Sequence, residues 1–205
     1  MPFETRFPGG AATPGRQRFS PRQEEVLHAI EPIFLREGIR GIRMGDLATE
    51  VGCSRSTLYE IAPSKEDLLL LVLDRMMFRI SERGLAAIEA ADTHVESMGA
   101  MLTVGARDFS ALGPRFLDAV RGHPPARMLF DRWVTVCRDA LERMIAEAVL
   151  AEEIRPVIAP VVAEMMFSAV LRFTEPDFSR TTKVSSADAL TQMVDVLLEG
   201  LRPRT

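Results

Sequence analysis

Between Met44 and Leu68 the chain reads MGDLATEVGCSRSTLYEIAPSKEDL, and no other stretch limits the fold so tightly. Leu47, Ala48 and Val51 put an apolar, small-residue face on one short helix, at i, i+1 and i+4. Gly52 follows where that helix must stop and turn, a place for a residue free to take φ > 0. Ser54 is set to cap the next helix, because its hydroxyl accepts a free backbone N–H at the helix start. On that second helix Leu58 and Ile61, three apart, turn inward and leave Arg55, Ser56, Thr57 and Tyr59 outside. A cation, two hydroxyls and a phenol on one short helix suit a phosphate-lined groove. The same spacing serves an ordinary helix hairpin with a solvated polar face, and spacing alone does not separate the two.

The flanking sequence builds an all-helical chain around this stretch. Residues 1–20 have Pro and Gly without periodicity and read as a disordered leader, with Arg16, Arg18 and Arg22 available as a basic arm or a solubilising tail. Ser20 and Pro21 open a first helix whose inward face is Val26, Leu27, Ile30, Ile33 and Phe34, with Pro32 as a kink and Gly38 as its end. Ser64 and Asp67 stand at capping-box spacing before a long helix that carries an unbroken leucine run. Further helices follow over Thr93–Leu112, Arg115–Arg121, Ala126–Glu153 and on to Phe173, with TEPDFSRTTKVSS as a polar connector. In the last helix Leu190, Met193, Val194, Leu197, Leu198 and Leu201 form an apolar stripe. The penultimate helix is apolar on nearly every side, from Val161 to Phe173, an excess that either a second copy or a central place in the monomer core would bury.

Composition narrows the function. With 205 residues, 47% of them hydrophobic, the chain can bury a full core. A formal net charge of −4 gives no global basic field. Residues 1–65 hold 9 basic against 8 acidic side chains and residues 66–205 hold 16 against 21, so any DNA binding must rest on local placement and on doubling in a dimer. Cys53 and Cys137 have neither CxxC nor metal-ligand spacing and read as free thiols. Neither a signal peptide nor a bilayer-length apolar run is visible, which points to a soluble, cytoplasmic protein that does not engage membranes. No GxSxG, Walker loop, GxGxxG or HExxH motif occurs, so neither enzyme chemistry nor a cofactor or metal is expected.

The stretch from Arg22 to about residue 75 resembles the N-terminal domain of TetR-type transcriptional regulators. The resemblance rests on Phe34, Glu37-Gly38, Asp46-Leu47-Ala48, Gly52, Ser54, Thr57-Leu58-Tyr59 and Ser64-Lys65-Glu66 in that order. Beyond residue 75 only length and the helical plan are similar. The resemblance implies a supporting helix at 44–51 and a recognition helix at 54–61. Arg55 and Ser56 would then lie near base edges or phosphates, and Thr57, Tyr59 and Lys65 at phosphates. Arg43 stands where such proteins usually have a Ser or Thr cap, exchanging a capping oxygen for a cation beside the backbone. Gly45 supplies no side chain where a contact is often made. Glu60 and Ile61 stand around positions where such proteins usually have aromatic residues or His, and Ala62 stands where they usually have Phe.

The resulting expectation is an all-α protein with a leader at 1–20, a helix-turn-helix DNA-binding domain at 21–66, and a helical effector-binding and dimerisation domain at 67–205. It would be a one-component regulator, a repressor on a pseudo-palindromic double-stranded operator, released by a small apolar effector. The homodimer would form through the last two helices. Met76, Met101, Phe109, Phe116, Met128 and Trp133 are candidates for the effector pocket, although Met and Phe at helical spacing equally describe plain core. Arg79, Arg107, Asp108, Arg132 and His94 are candidate polar handles. The alternative is a helical ligand-binding or protein-interaction module with a weakened DNA head, which Glu60, Ala62 and the acidic total favour.

Overall fold

The computed structural model describes residues 19–173 and 175–202; the leader and its Arg16 and Arg18 lie outside the described residues. The described residues are all-α, as the helical periods predict. They divide into two compact units that are discontinuous in sequence.

The first unit contains residues 19–78 and 112–131. Helix α1, Pro21–Glu37, starts with a complete capping box between Ser20 and Gln23 and a proline in its first turn. It continues through Pro32 and buries Val26, Leu27, Ile30, Ile33 and Phe34, the face expected from the period. Gly38 ends it at φ 67°, where an L side chain would be strained. An added Cβ there would also come within 2.5 Å of the Arg115 carbonyl oxygen. Helix α2, Met44–Glu50, and α3, Arg55–Ile61, form the helix-turn-helix, with Gly52 at φ 67° in the turn. The Cys53 N–H donates to the Ala48 carbonyl at 2.9 Å, which closes the turn. Leu47, Ala48, Leu58 and Ile61 are its buried side chains. Val51 is half-buried and forms the C-cap of α2 instead of completing its inner face.

Helix α4, Lys65–Glu89, carries Leu68, Leu69, Val72 and Leu73 into the core of this unit through its first half. Ser64 accepts the Asp67 N–H and gives its own proton to the Asp67 carboxylate. The unit is completed by a helix that arrives later in the chain, after α5 (His94–Ser110): α6, Pro114–Gly122, burying Phe116, Leu117 and Val120. Helices α1 and α6 meet backbone to backbone. Besides the Gly38 contact, an added Cβ at Gly113 would collide with the Leu35 carbonyl oxygen. Arg75 pairs with Glu24 to tie α4 to α1.

The second unit contains residues 79–111 and 132–202. It takes the second half of α4, all of α5, and most of α7, Pro124–Leu150. Helices α8, Ala159–Phe173, α9, Pro176–Thr182, and α10, Ser186–Leu201, complete it. Gly99 on α5 lets the Leu198 methyl of α10 approach closely. Glu153 accepts the Val95 N–H at 3.0 Å and is 2.7 Å from His94 Nδ1, which fixes the start of α5. Leu190, Val194 and Leu201 of the apolar stripe are buried, and Met193, Leu197 and Leu198 are half-buried.

The polar connector between α8 and α10 is not purely connector: it contains α9. A proline starts that helix, Asp177 stands in its first turn, and Lys183 at φ 62° ends it. The Phe178 ring packs on Phe173 at 4.9 Å, and Arg172 grips Asp177 with two bonds near 3 Å. Seven residues give too short a period to read against the surrounding polar sequence.

Candidate functional site

Helix α3 has seven residues, too few to persist alone, since isolated helices need about 12–15. Burial of Leu58 and Ile61 and the cap at its first turn hold it. Ser54 Oγ accepts the Thr57 N–H at 3.0 Å and lies 2.7 Å and 2.8 Å from the Ser56 and Thr57 hydroxyls. Three hydroxyls thus converge on the positive end of a helix, an arrangement that favours anions. Arg55, Ser56 and Tyr59 are exposed on the same helix, Tyr59 by 53%. Thr57 is half-buried.

The missing side chain at Gly45 has a local consequence. A Cβ built there would come 2.9–3.0 Å from the Arg55 guanidinium. The guanidinium therefore rests against the start of α2 in space that any other residue would fill, which sequence reading missed. Arg43 is exposed and caps α2 with no side-chain bond. Glu60 is also exposed.

Lys65 differs most from its expected role. Its ammonium donates to the carbonyls of both Ile39 and Ile42, each at 3.2 Å, and so closes the turn between α1 and α2. Arg22, read as part of a flexible arm, donates to the Gly52 carbonyl at 2.7 Å and pairs with Glu25. Both cations bind carbonyl oxygens 23–30 residues away in sequence, partners that no local spacing reveals.

In the second unit a cavity of about 50 Å³ lies among α4, α5, α7 and α8. Three of the six pocket candidates, Met101, Phe109 and Trp133, line it. The Phe109 and Trp133 rings stand 5.3 Å apart, and Trp133 Nε1 donates to Ser81 Oγ at 3.0 Å. The other candidates are elsewhere. Met76 and Phe116 are buried in the core of the first unit, and Met128, near the start of α7, is 72% exposed. A shared helical period could not tell which of two cores each residue enters.

Sequence reading did not assign Ser81, Gly84, Gly105, Cys137, Phe167 or Val170 to a pocket, yet they share the lining. Burial pushes the Cys137 thiol up to about 12, so it faces the cavity as a neutral group. None of the expected polar handles lines the cavity. Asp108 instead pairs with Arg83 at 2.8 Å, and His94 with Glu153.

A helix-turn-helix unit followed by a helical unit of this kind is the fold of TetR-type transcriptional regulators. A proposed transcriptional regulator from Saccharomonospora viridis, solved in complex with choline, superposes with a TM-score of 0.76 at 19% identity, over 89% of this chain and 98% of that one. A TetR-family regulator from Cytophaga hutchinsonii gives 0.69 at 17% identity, over 92% and 100%. The regulator AibR, solved with isovaleryl coenzyme A and operator DNA, gives 0.63 at 20% identity, over 90% and 100%. By sequence, no family model and no curated protein matches the chain.

Proposed function

We propose that the protein is a one-component transcription regulator: a homodimer that represses from a pseudo-palindromic operator and is released by a small apolar effector. The observation that carries this reading is the start of α3. There the Ser54 cap, the Ser56 and Thr57 hydroxyls and the exposed Arg55 stand together at a positive helix end. In this reading residues 21–66 form the DNA-binding domain and residues 67–205 bind effector and dimerise. Arg55 reaches base edges, Arg43, Ser54, Ser56, Thr57 and Tyr59 flank the backbone, and Lys65, bonded to the Ile39 and Ile42 carbonyls, braces the turn between α1 and α2.

Two heads on successive major grooves compensate for the acidic total. Val161 and Met165, one turn apart on α8 and 52% and 59% exposed, support pairing through α8 and α10, as does Val196 on α10 at 61%. Effector binding would favour a conformation in which the heads are wrongly spaced.

The test is a salt titration of binding to the protein's own upstream DNA against a scrambled duplex, with wild type and Arg55→Ala. Site-preferring wild-type binding with a steep salt slope is expected. The variant should lose about 1–3 kcal/mol and relax choice at one base position. Equal, feeble binding by both proteins would instead support a helical ligand-binding or interaction module with a weakened head. The exposed Glu60 on α3 is the feature that favours this second reading.

A further inference from the structure

Two glycines sit inside unbroken helices and face the same cavity: Gly84 on α4 and Gly105 on α5. Neither has a positive φ, and neither lets a backbone or side chain approach. A Cβ built on either would meet nothing within 4 Å. Contrast Gly99 on α5, where the Leu198 methyl occupies the space. Gly84 is buried and Gly105 half-buried, and both line the cavity, so the open space beside them belongs to it. A helix-weakening residue at two facing positions is not explained by turn, cap or packing. It is explained by volume kept for something else.

The lining includes no Asp, Glu, Lys, Arg or His. Its polar hydroxyl, Ser81 Oγ, accepts the Trp133 indole N–H. A carboxylate, phosphate or ammonium brought here would lose its hydration with no counter-charge in the wall, whereas an apolar group would lose nothing. At about 50 Å³ the space is about a third of the roughly 150 Å³ that admits benzene, and Met101 is the flexible side chain able to widen it.

We infer that this cavity takes an uncharged, apolar ligand or ligand moiety, and that Gly84 and Gly105 are the residues that hold its volume open. The inference rests on the regulator reading for the ligand's role as effector, but its test does not require DNA. Trp133 is the only tryptophan in the sequence, so emission of the full-length protein reports the cavity directly.

The experiment titrates toluene, benzoate and benzyltrimethylammonium, one ring with three charges, into wild type, Gly84→Ala and Gly105→Ala. Thermal unfolding is followed in parallel. Toluene should change the emission saturably, and both charged probes should bind at least tenfold more weakly. Each alanine should lower toluene affinity at least fivefold while raising Tm, a combination that mere structural damage cannot produce. Benzoate or the ammonium binding as well as toluene would overturn the ligand class. Undiminished toluene binding in both variants would overturn the role of the glycines, and no response to toluene would overturn the inference whole. Failure of the regulator reading appears separately, as loss of site preference in the DNA titration with these emission changes intact.

Discussion

On the proposed regulator reading, removing the Ser54 hydroxyl should weaken operator binding by the summed cost of two damaged helix caps. In Ser54→Ala the Thr57 N–H, now 3.0 Å from Ser54 Oγ, loses its acceptor, and the Ser56 and Thr57 hydroxyls lose their common partner. Loss of such a cap costs about 1 kcal/mol. Leu58 and Ile61 keep α3 docked, so unfolding stays cooperative and Tm falls by about 2–4 °C. In the proposed dimer each head would pay that cost in placing its hydroxyls and helix end, so operator affinity should fall about 2 kcal/mol, or roughly 30-fold. Ser54→Asp separates the two effects. Asp caps as well as Ser and is favoured at a helix start, so Tm should hold, while its carboxylate repels phosphates and binding should collapse. Electrophoretic mobility shift and differential scanning calorimetry on the three proteins provide the check. Wild-type affinity in Ser54→Asp would refute the reasoning, because the start of α3 could not then lie beside phosphate.

Lys65→Ala should lower Tm by about 2–8 °C, because two backbone carbonyls between α1 and α2 lose a charged donor. It should weaken all duplexes alike with an unchanged salt slope; a slope reduced by about one at constant Tm would instead put the ammonium on a phosphate. Glu153 bears on acid stability. Burial alone would raise its carboxyl, but hydrogen bonds from His94 and the Val95 N–H outweigh it and hold the group below its ordinary value near 4.5. A depressed folded value contributes stability that is full above the unfolded value and lost as pH falls through the folded one. Wild type should therefore lose Tm more steeply than Glu153→Gln below about pH 4.5, and parallel profiles would rule this out.

The helix-turn-helix was legible because its determinants are local. Gly52, the Ser54 cap and the inward pair Leu58 and Ile61 lie within ten residues, where spacing and capping chemistry act. The face of α1 was equally legible from its period. What spacing could not supply was partnership across the fold. Lys65 and Arg22 found carbonyls distant in sequence, and Arg55 found the empty side of Gly45. The cavity was half legible. Met101, Phe109 and Trp133 announced themselves as bulk, whereas Gly84 and Gly105 define it by what they lack. Glycine in a helical period reads as a weakness to be tolerated, and only the open space beside it shows what it is for.

The seam between α1 and α6 carries an implication for how the chain is made. The first unit closes on Phe116, Leu117 and Val120, and its two glycine contacts join residues about 80 apart. A chain growing on the ribosome therefore cannot finish this unit when residue 78 emerges. It must wait until residue 131 is clear, with the intervening residues 79–111 looped out. At about 5–20 residues per second that wait lasts several seconds, during which the face of α1 that α6 will cover stays open to chaperones.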